Sequence, residues 1–227
     1  YLRLLKLDDS QQNVLEALVA LRIQSNNISA AIQSLSRLIE LEYNTTQNLL
    51  RRAQLNHALG DVKKAENDLK KAALLANNEP LLLIATANAA LQIGNQRLAI
   101  QSLHRARELM PGDLLAGVKL AEVFLNTDQP GEAEVVLGQL VSDHPGQADV
   151  WLLKGRLAEQ SGDLRLARTH YYKALSLNSS YDLVYAKLYT LTHYGIGVKE
   201  FEQTLSRRVA EQPDLVFTRN LLAQFYY

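Results

Sequence analysis

Small and apolar residues recur along this chain at one fixed spacing of 34 residues. Three independent series share this period. Their members are Ala65, Ala99, Ala133 and Ala167; Ala53, Ala87, Ala121 and Gly155; and Leu35, Leu69, Leu103, Leu137, Tyr171 and Leu205. One such series would be a weak signal, but three at a common period predict a structural repeat whose copies bury their apolar faces against one another.

The segment 148–181 shows most clearly what one repeat contains. Its apolar residues follow helical spacing over about Val150–Gln160 and again over about Leu164–Leu177. Gly162 and Asp163 interrupt the pattern, because glycine adopts the positive φ that ends a helix and aspartate caps the helix that follows. The segment therefore predicts two antiparallel helices joined by a tight turn, and the whole chain is predicted to be all-α.

Five residues of this segment also occupy positions that characterise one known repeat. They are the aromatic Trp151, the small Gly155, and the alanines Ala167 and Ala174 on either side of Tyr171. In these features the segment resembles a tetratricopeptide repeat (TPR), and the resemblance extends along the whole chain. It implies a right-handed α-solenoid of antiparallel helix pairs, the TPR superhelix, and a role in binding proteins or peptides.

Counting in steps of 34 from residue 148 predicts one continuous array. Its parts are half repeat 1–11, repeats 12–45, 46–79, 80–113, 114–147, 148–181 and 182–215, and half repeat 216–227. Because each half repeat lacks its partner helix, we expect the chain to be a fragment of a longer TPR protein. We also expect Leu222, Phe225 and Tyr226 to fray or to pair end to end with a second copy.

The repeat 182–215 departs from the pattern of the others. Tyr189 stands at the close-contact position, and Phe201 and Arg208 stand at the two alanine positions of the second helix. Either the two helices spread apart to admit these side chains, or the alignment shifts here by one or two residues. The repeat is interpreted as a decayed copy or as one whose altered curvature forms a binding surface.

Composition and motif content exclude several classes of function. With 24 basic and 24 acidic residues the formal net charge is zero, so no basic field exists to hold a nucleic acid. The basic pairs at 51–52, 63–64 and 70–71 alternate with acidic residues and are interpreted as a solvated face. The chain has no cysteine, its five histidines form no ligand pair, and no nucleotide-binding or hydrolase motif occurs. We therefore expect a non-enzymatic protein with no catalytic residue, metal site or cofactor, and no segment long and apolar enough to cross a membrane.

The TPR resemblance also indicates where a partner would bind. In TPR arrays the first helix of each repeat lines the concave surface, with its second, fifth, ninth, twelfth and thirteenth positions facing inward. The largely apolar part of this set in 80–147 consists of Leu81, Ile84, Asn88, Leu91, Leu115, Val118, Glu122 and Leu125. Since contiguous exposed apolar surface marks interaction sites, we expect a peptide or helix to dock in this groove. The alternative is that these residues pack against adjacent first helices.

Narrower resemblances suggest more specific roles. The TPR clamp for the two carboxylates of chaperone tails is not matched, because no repeat has lysine at the fifth position together with asparagine at the ninth; Asn88 supplies the asparagine, but Ile84 stands where the lysine should be. The Leu-, Ala- and Gln-rich repeats resemble bacterial TPR proteins of the cell envelope, especially the periplasmic TPR region of exopolysaccharide-export proteins. That implies a periplasmic rather than cytoplasmic scaffold that recruits partners for exopolysaccharide synthesis or export, as in biofilm formation. The alternatives are the recognition arm of a larger enzyme, such as a glycosyltransferase, and single-stranded RNA binding, which the zero net charge disfavours.

Overall fold

The computed structural model describes residues 12–226, and every regular element in that range is an α-helix. In chain order the thirteen helices of this range are α1 (Gln12–Gln24), α2 (Ile28–Glu40), α3 (Thr45–Ala58), α4 (Val62–Leu75), α5 (Pro80–Gln92), α6 (Gln96–Leu109), α7 (Leu114–Asn126), α8 (Pro130–Asp143), α9 (Ala148–Gln160), α10 (Leu164–Leu177), α11 (Asp182–Thr192), α12 (Val198–Glu211) and α13 (Val216–Tyr226). Each predicted full repeat holds two of them, so the prediction of an all-α solenoid of helix pairs is confirmed. The predicted half repeat 1–11 lies outside the described residues.

Most turns inside a repeat combine a left-handed residue with a helix cap. The φ angle is +81° at Gly60, +79° at Gly94 and +80° at Gly162. The Asp or Asn that follows each glycine accepts a hydrogen bond from the backbone amide three residues later, and Asp163 does so from Leu166 at 2.9 Å. Because such a cap contributes about 1 kcal/mol, these pairs of residues determine where each second helix begins.

The small residues of the 34-residue series lie where the two helices of a repeat touch. The alanines at positions 53, 65, 87, 99, 121, 133 and 167 are all 0% exposed. At Gly155 the contact is closest, since a Cβ atom built there would lie 2.2 Å from Cε1 of the Tyr171 ring. Tyr171 is itself fully buried, so α9 and α10 approach to a distance that the hydrogen side chain of glycine permits.

The chain divides into two compact units, 1–116 and 117–227, at a boundary inside α7. In the first unit, described from residue 12, each of α1 to α5 packs against the helix that follows it, and α3 also packs against α5. In the second unit the same neighbour-to-neighbour packing runs from α8 to α13. One core cluster of the second unit contains Tyr171, Tyr185 and Phe201. The division of the sequence into six repeats and two half repeats stays a prediction.

The predicted repeat 182–215 follows the 34-residue period, but its two helices are further apart than those of the preceding repeat. The helix α11 begins at Asp182 and α12 at Val198, each 34 residues after the corresponding start in the preceding repeat. However, α11 ends at Thr192, and α11 and α12 are in close contact over a shorter length than α9 and α10. Phe201 is 1% exposed, with its ring centroid 6.3 Å from that of Tyr189. The aromatic side chains therefore fill the space between helices that stand further apart, and no shift of alignment is needed.

Candidate partner-binding surface

The first helix of each predicted repeat exposes a regular subset of its residues. These first helices are α1, α3, α5, α7, α9 and α11. All six residues at the second repeat position are exposed: Asn13, Gln47, Leu81, Leu115, Asp149 and Leu183. The fifth position differs, because Leu50, Ile84 and Leu152 are buried there. The amino-terminal turn of each first helix thus faces solvent at this position, whereas the fifth position is part of the interior in half of the repeats.

The eight residues of the predicted groove likewise differ in their exposure to solvent. Leu81 is 71% exposed and Leu115 is 49% exposed. Asn88, Leu91, Val118 and Glu122 are half-buried. Ile84 and Leu125 are only 4% and 2% exposed, so their side chains belong to the interior. The positions from Leu81 to Leu115 lie in the first unit and the other three in the second.

Polar side chains of the first unit connect neighbouring first helices. Arg51 of α3 donates to the Glu16 carboxylate of α1 at 2.8 Å, and Gln54 of α3 donates to Gln92 of α5 at 2.7 Å. The Arg51–Glu16 pair is partly exposed, and such pairs contribute at most about 1 kcal/mol. We call the exposed side of α1, α3, α5 and the start of α7 the first-helix surface of unit 1. This surface includes the exposed leucines Leu81 and Leu115, and its polar groups Arg51, Glu16, Gln54 and Gln92 already bond to each other.

The second unit carries a denser set of polar contacts on its first helices. Arg156 donates to Asn126 at 2.8 Å, and Lys187 donates to Glu159 at 2.8 Å. The hydroxyl of Tyr181 donates to Asp149. Burial is the main cause that raises the pKa of Tyr181, and the hydrogen bond to Asp149 raises it further. Lys187 and Glu159 neutralise each other, whereas Arg156 and Asp149 keep their charges and are hydrogen-bonded by neutral groups. The resulting surface is mixed and polar.

The sequence analysis did not predict a second surface, which lies between the second helices α2 and α4. A groove of about 610 Å³ runs there over the floor formed by α3. Arg52 donates from Nε and Nη2 to the two carboxylate oxygens of Asp68 at 2.8 and 2.7 Å, and from Nη1 to Ser36 Oγ at 2.8 Å. The hydrogen bond to Asp68 is the main cause that raises the pKa of Arg52. A smaller, apolar groove of about 240 Å³ shares Arg52 and is lined by Leu49, Leu74 and Leu75 among others.

The buried pair corrects one sequence interpretation. Arg52 was grouped with a solvated basic face, but its side chain is 19% exposed and that of Asp68 only 6%. The lysines at 63, 64, 70 and 71 are exposed, as that interpretation expects. The available signal was Asp68 itself, an acidic residue next to the buried series residue Leu69 on the apolar side of α4.

Other candidates for chemistry are structural in this molecule. Trp151 donates from its indole nitrogen to the carbonyl of Pro145 at 2.8 Å, and its ring lies 5.5 Å from that of His170. Between residues 12 and 226, no three His, Cys, Asp or Glu side chains are grouped as a metal site would require. No helix in the same range has the length and apolar character of a membrane span.

Family models identify the repeat. Two models of the tetratricopeptide repeat match the chain, one over residues 94–157 and the other over 46–79 and 148–181. Together they cover more than half of the sequence, and the boundaries of 46–79 and 148–181 are those that the 34-residue period predicts. The chain belongs to the tetratricopeptide repeat family. No curated protein sequence matches this TPR chain.

Solved structures of other proteins, two of them described as TPR proteins, share the fold at low sequence identity. A TPR protein from Parabacteroides merdae is 16% identical, with a TM-score of 0.60 over 98% of this chain and 88% of its own. MamA from Desulfovibrio magneticus is 19% identical, with a TM-score of 0.57 over 75% of this chain and 97% of its own. YrrB, described as a TPR protein with an unusual peptide-binding site, is 17% identical, with a TM-score of 0.56 over 80% and 94%. At these identities the similarity establishes the TPR fold.

Proposed function

We propose that this TPR chain is a non-catalytic scaffold that binds a peptide segment of a protein partner. The observation that supports this proposal is the exposure of Leu81 and Leu115, which share one repeat position on successive first helices. Exposed apolar side chains that recur at one position of a repeat indicate an interaction surface. The peptide-binding TPR protein YrrB is similar in fold, which is consistent with this role.

On the first-helix surface of unit 1, a partner peptide would place apolar side chains against Leu81, Leu91 and Leu115. Asn88 is half-buried on the same helix as Leu81, and its amide can pair with the backbone of an extended peptide. Val118 and Glu122 offer an equivalent apolar and polar pair in the second unit. Ile84 and Leu125 support the helices from within, so substituting them would test stability rather than binding.

Selection of peptides from a displayed library on the purified chain tests the proposal. Each leucine that a peptide covers contributes about 1.5–3 kcal/mol, so Leu81→Asp/Leu115→Asp should weaken binding of the selected peptides at least roughly tenfold. The matched control is Leu74→Asp, because Leu74 is 78% exposed but lies on the second helix α4. Equal affinity of both variants for every selected peptide would contradict the proposal.

The more specific roles stay predictions. A periplasmic scaffold for exopolysaccharide export predicts that deleting the gene reduces secreted polysaccharide while the synthase remains active in membranes. A glycosyltransferase arm predicts a catalytic domain in the same polypeptide. End-to-end pairing through Leu222, Phe225 and Tyr226 of α13 predicts a dimer in light scattering that Tyr226→Asp abolishes, because Tyr226 is 62% exposed on that helix.

A further inference from the structure

A groove of about 360 Å³ lies between the second helices α10 and α12, with Tyr185 of α11 at its floor. Its volume is within the range of sites that hold small ligands or single side chains, roughly 300–1,000 Å³. Hydroxyl groups of Tyr172, Ser176, Ser179 and Thr204 line it, together with the charged residues Arg207, Arg208 and Glu211. All of these residues belong to the second unit, so the groove is complete within that unit.

Arg208 is the unusual member of this lining. It is 5% exposed, and its Nη2 donates to Ser180 Oγ at 2.7 Å. Its Nε atom is buried and has no acceptor. Among residues 12–226, no carboxylate lies within ion-pair distance of its guanidinium. Removing a cation from water without a counter-charge costs several kcal/mol, so this arrangement needs a compensating partner.

Packing does not require an arginine at this position. The residues at the same repeat position in three other repeats are Ala72, Ala106 and Ala174, all 0% exposed. The corresponding groove of the first unit is apolar, with Leu49 and Leu75 where this groove has Tyr185 and Glu211. The remaining two repeats have Leu38 and Leu140 at this position. Arg208 therefore places a buried cation where the other repeats have alanine or leucine.

We propose that this groove binds the carboxylate of an aspartate or glutamate side chain in a partner's peptide segment. The guanidinium presents several N–H donors in a fixed plane, and Nε is the buried donor that lacks an acceptor. Glu211 lies one turn along α12 at the exposed rim, where its negative charge would repel an incoming carboxylate. The proposal rests on the proposed scaffold function and specifies an acidic partner, bound by second helices rather than by the first-helix surface.

The test uses the full chain and two peptides that differ in one group. The first is the acetylated and amidated pentapeptide Ala-Leu-Glu-Leu-Ala, and the second carries Gln in place of Glu. Arginine Nε–H signals are followed by NMR, with the Arg208 signal assigned by its loss in Arg208→Ala. We expect the Glu peptide to shift this signal saturably and to bind about tenfold tighter than the Gln peptide, since a charge-assisted hydrogen bond contributes about 1.5–3 kcal/mol.

Three variants distinguish a binding site from a general charge effect. Arg208→Ala should abolish the preference for Glu over Gln, and the variant should fold because alanine occupies this position elsewhere. Arg165→Gln removes an exposed arginine of α10 that does not line the groove, and it should leave the preference unchanged. Glu211→Gln should tighten binding of the Glu peptide, because a negative charge at the rim that repels the ligand carboxylate is gone.

Other outcomes overturn the proposal. Equal affinity for the two peptides in the unmodified chain, or an unchanged preference in Arg208→Ala, would refute it. Saturable binding of inorganic phosphate without binding of the Glu peptide would assign the groove to a phosphate ligand instead. The library peptides whose binding depends on Leu81 and Leu115 separate the two proposals. If these peptides bind but the chain shows no preference for the Glu peptide, the acidic-peptide groove is refuted and the scaffold function stands. Loss of both would reject the scaffold function as well.

Discussion

Substitution of Gly155 by alanine is the sharpest test of how closely the helices of a repeat approach. The added Cβ would lie 2.2 Å from Cε1 and 2.5 Å from Cδ1 of Tyr171. Ordinary contacts of this kind begin near 3.4 Å, so α9 and α10 must separate or the buried ring must turn. Overpacking typically costs about 1–3 kcal/mol, and replacing glycine by alanine inside a helix returns about 1 kcal/mol. We expect Gly155→Ala to reduce the free energy of unfolding by about 2 kcal/mol, because the clash is with a ring that has no free space.

Gly138→Ala is the matched control in the same unit. Gly138 lies within α8, is exposed, and has nothing within 4 Å of the position of an added Cβ. The free energy of unfolding of this variant should therefore rise by roughly 0.5–1 kcal/mol, from helix propensity alone. Urea unfolding followed by circular dichroism measures both changes. If Gly155→Ala were as stable as Gly138→Ala, the close approach of α9 and α10 would be disproved.

A compensating change makes the test more specific. Five other repeats have leucine where this one has Tyr171, and a leucine side chain would not extend to the position of the new Cβ. In the presence of Tyr171→Leu, the substitution Gly155→Ala should reduce the free energy of unfolding by less than it does when Tyr171 is present. A coupling energy near zero would show that the ring is not the obstacle.

Two further predictions concern buried polar groups. Asp68→Asn leaves the Arg52 guanidinium buried without its counter-charge and should reduce the free energy of unfolding by about 3 kcal/mol. The control Glu108→Gln removes a charge from an exposed pair with Arg105 and should change the free energy of unfolding by less than about 0.5 kcal/mol. Equal urea midpoints for the two variants would contradict this prediction. Burial is the main cause that lowers the pKa of His170, so between its folded value and about 6.5 the unfolded chain binds more protons. The free energy of unfolding should therefore fall as the pH drops below about 6.5. His170→Gln should remove part of that fall, measured by unfolding followed by Trp151 fluorescence. If the variant showed the same dependence of stability on pH as the unmodified chain, His170 would not be its source.

The helices were largely predictable because their signals are local. A glycine or asparagine followed by a capping residue marks most of the turns inside repeats, and the period of 34 transfers the boundary from one repeat to the next. This is why the predicted start of α10 at Leu164 agrees with the structure. The register of the irregular repeat 182–215 also followed from the period, although its Tyr189 and Phe201 contradict the local pattern.

The exposure of the proposed groove residues was less predictable, because it depends on how neighbouring repeats pack against each other. Family positions placed Ile84 and Leu125 in a groove, but each is buried in the structure. The pair Arg52–Asp68 joins residues 16 positions apart on two helices. The position of Asp68 on the apolar side of α4 indicates a buried carboxylate, but it does not identify Arg52 as its partner. The sequence showed Arg208 only as a departure from alanine, whereas its burial and the unsatisfied Nε atom are visible only in the structure.

The neighbour-to-neighbour packing has a consequence for how the chain acquires its structure. The side-chain hydrogen bonds described above join residues at most 38 positions apart, the separation of Gln54 and Gln92. A nascent chain can therefore complete most contacts of one repeat soon after the next has emerged from the ribosome, without waiting for a distant segment. Low contact order of this kind favours rapid folding that spreads outward from any stable pair of helices. It also means that duplicating or removing one 34-residue segment would leave the remaining helices with partners of the same kind.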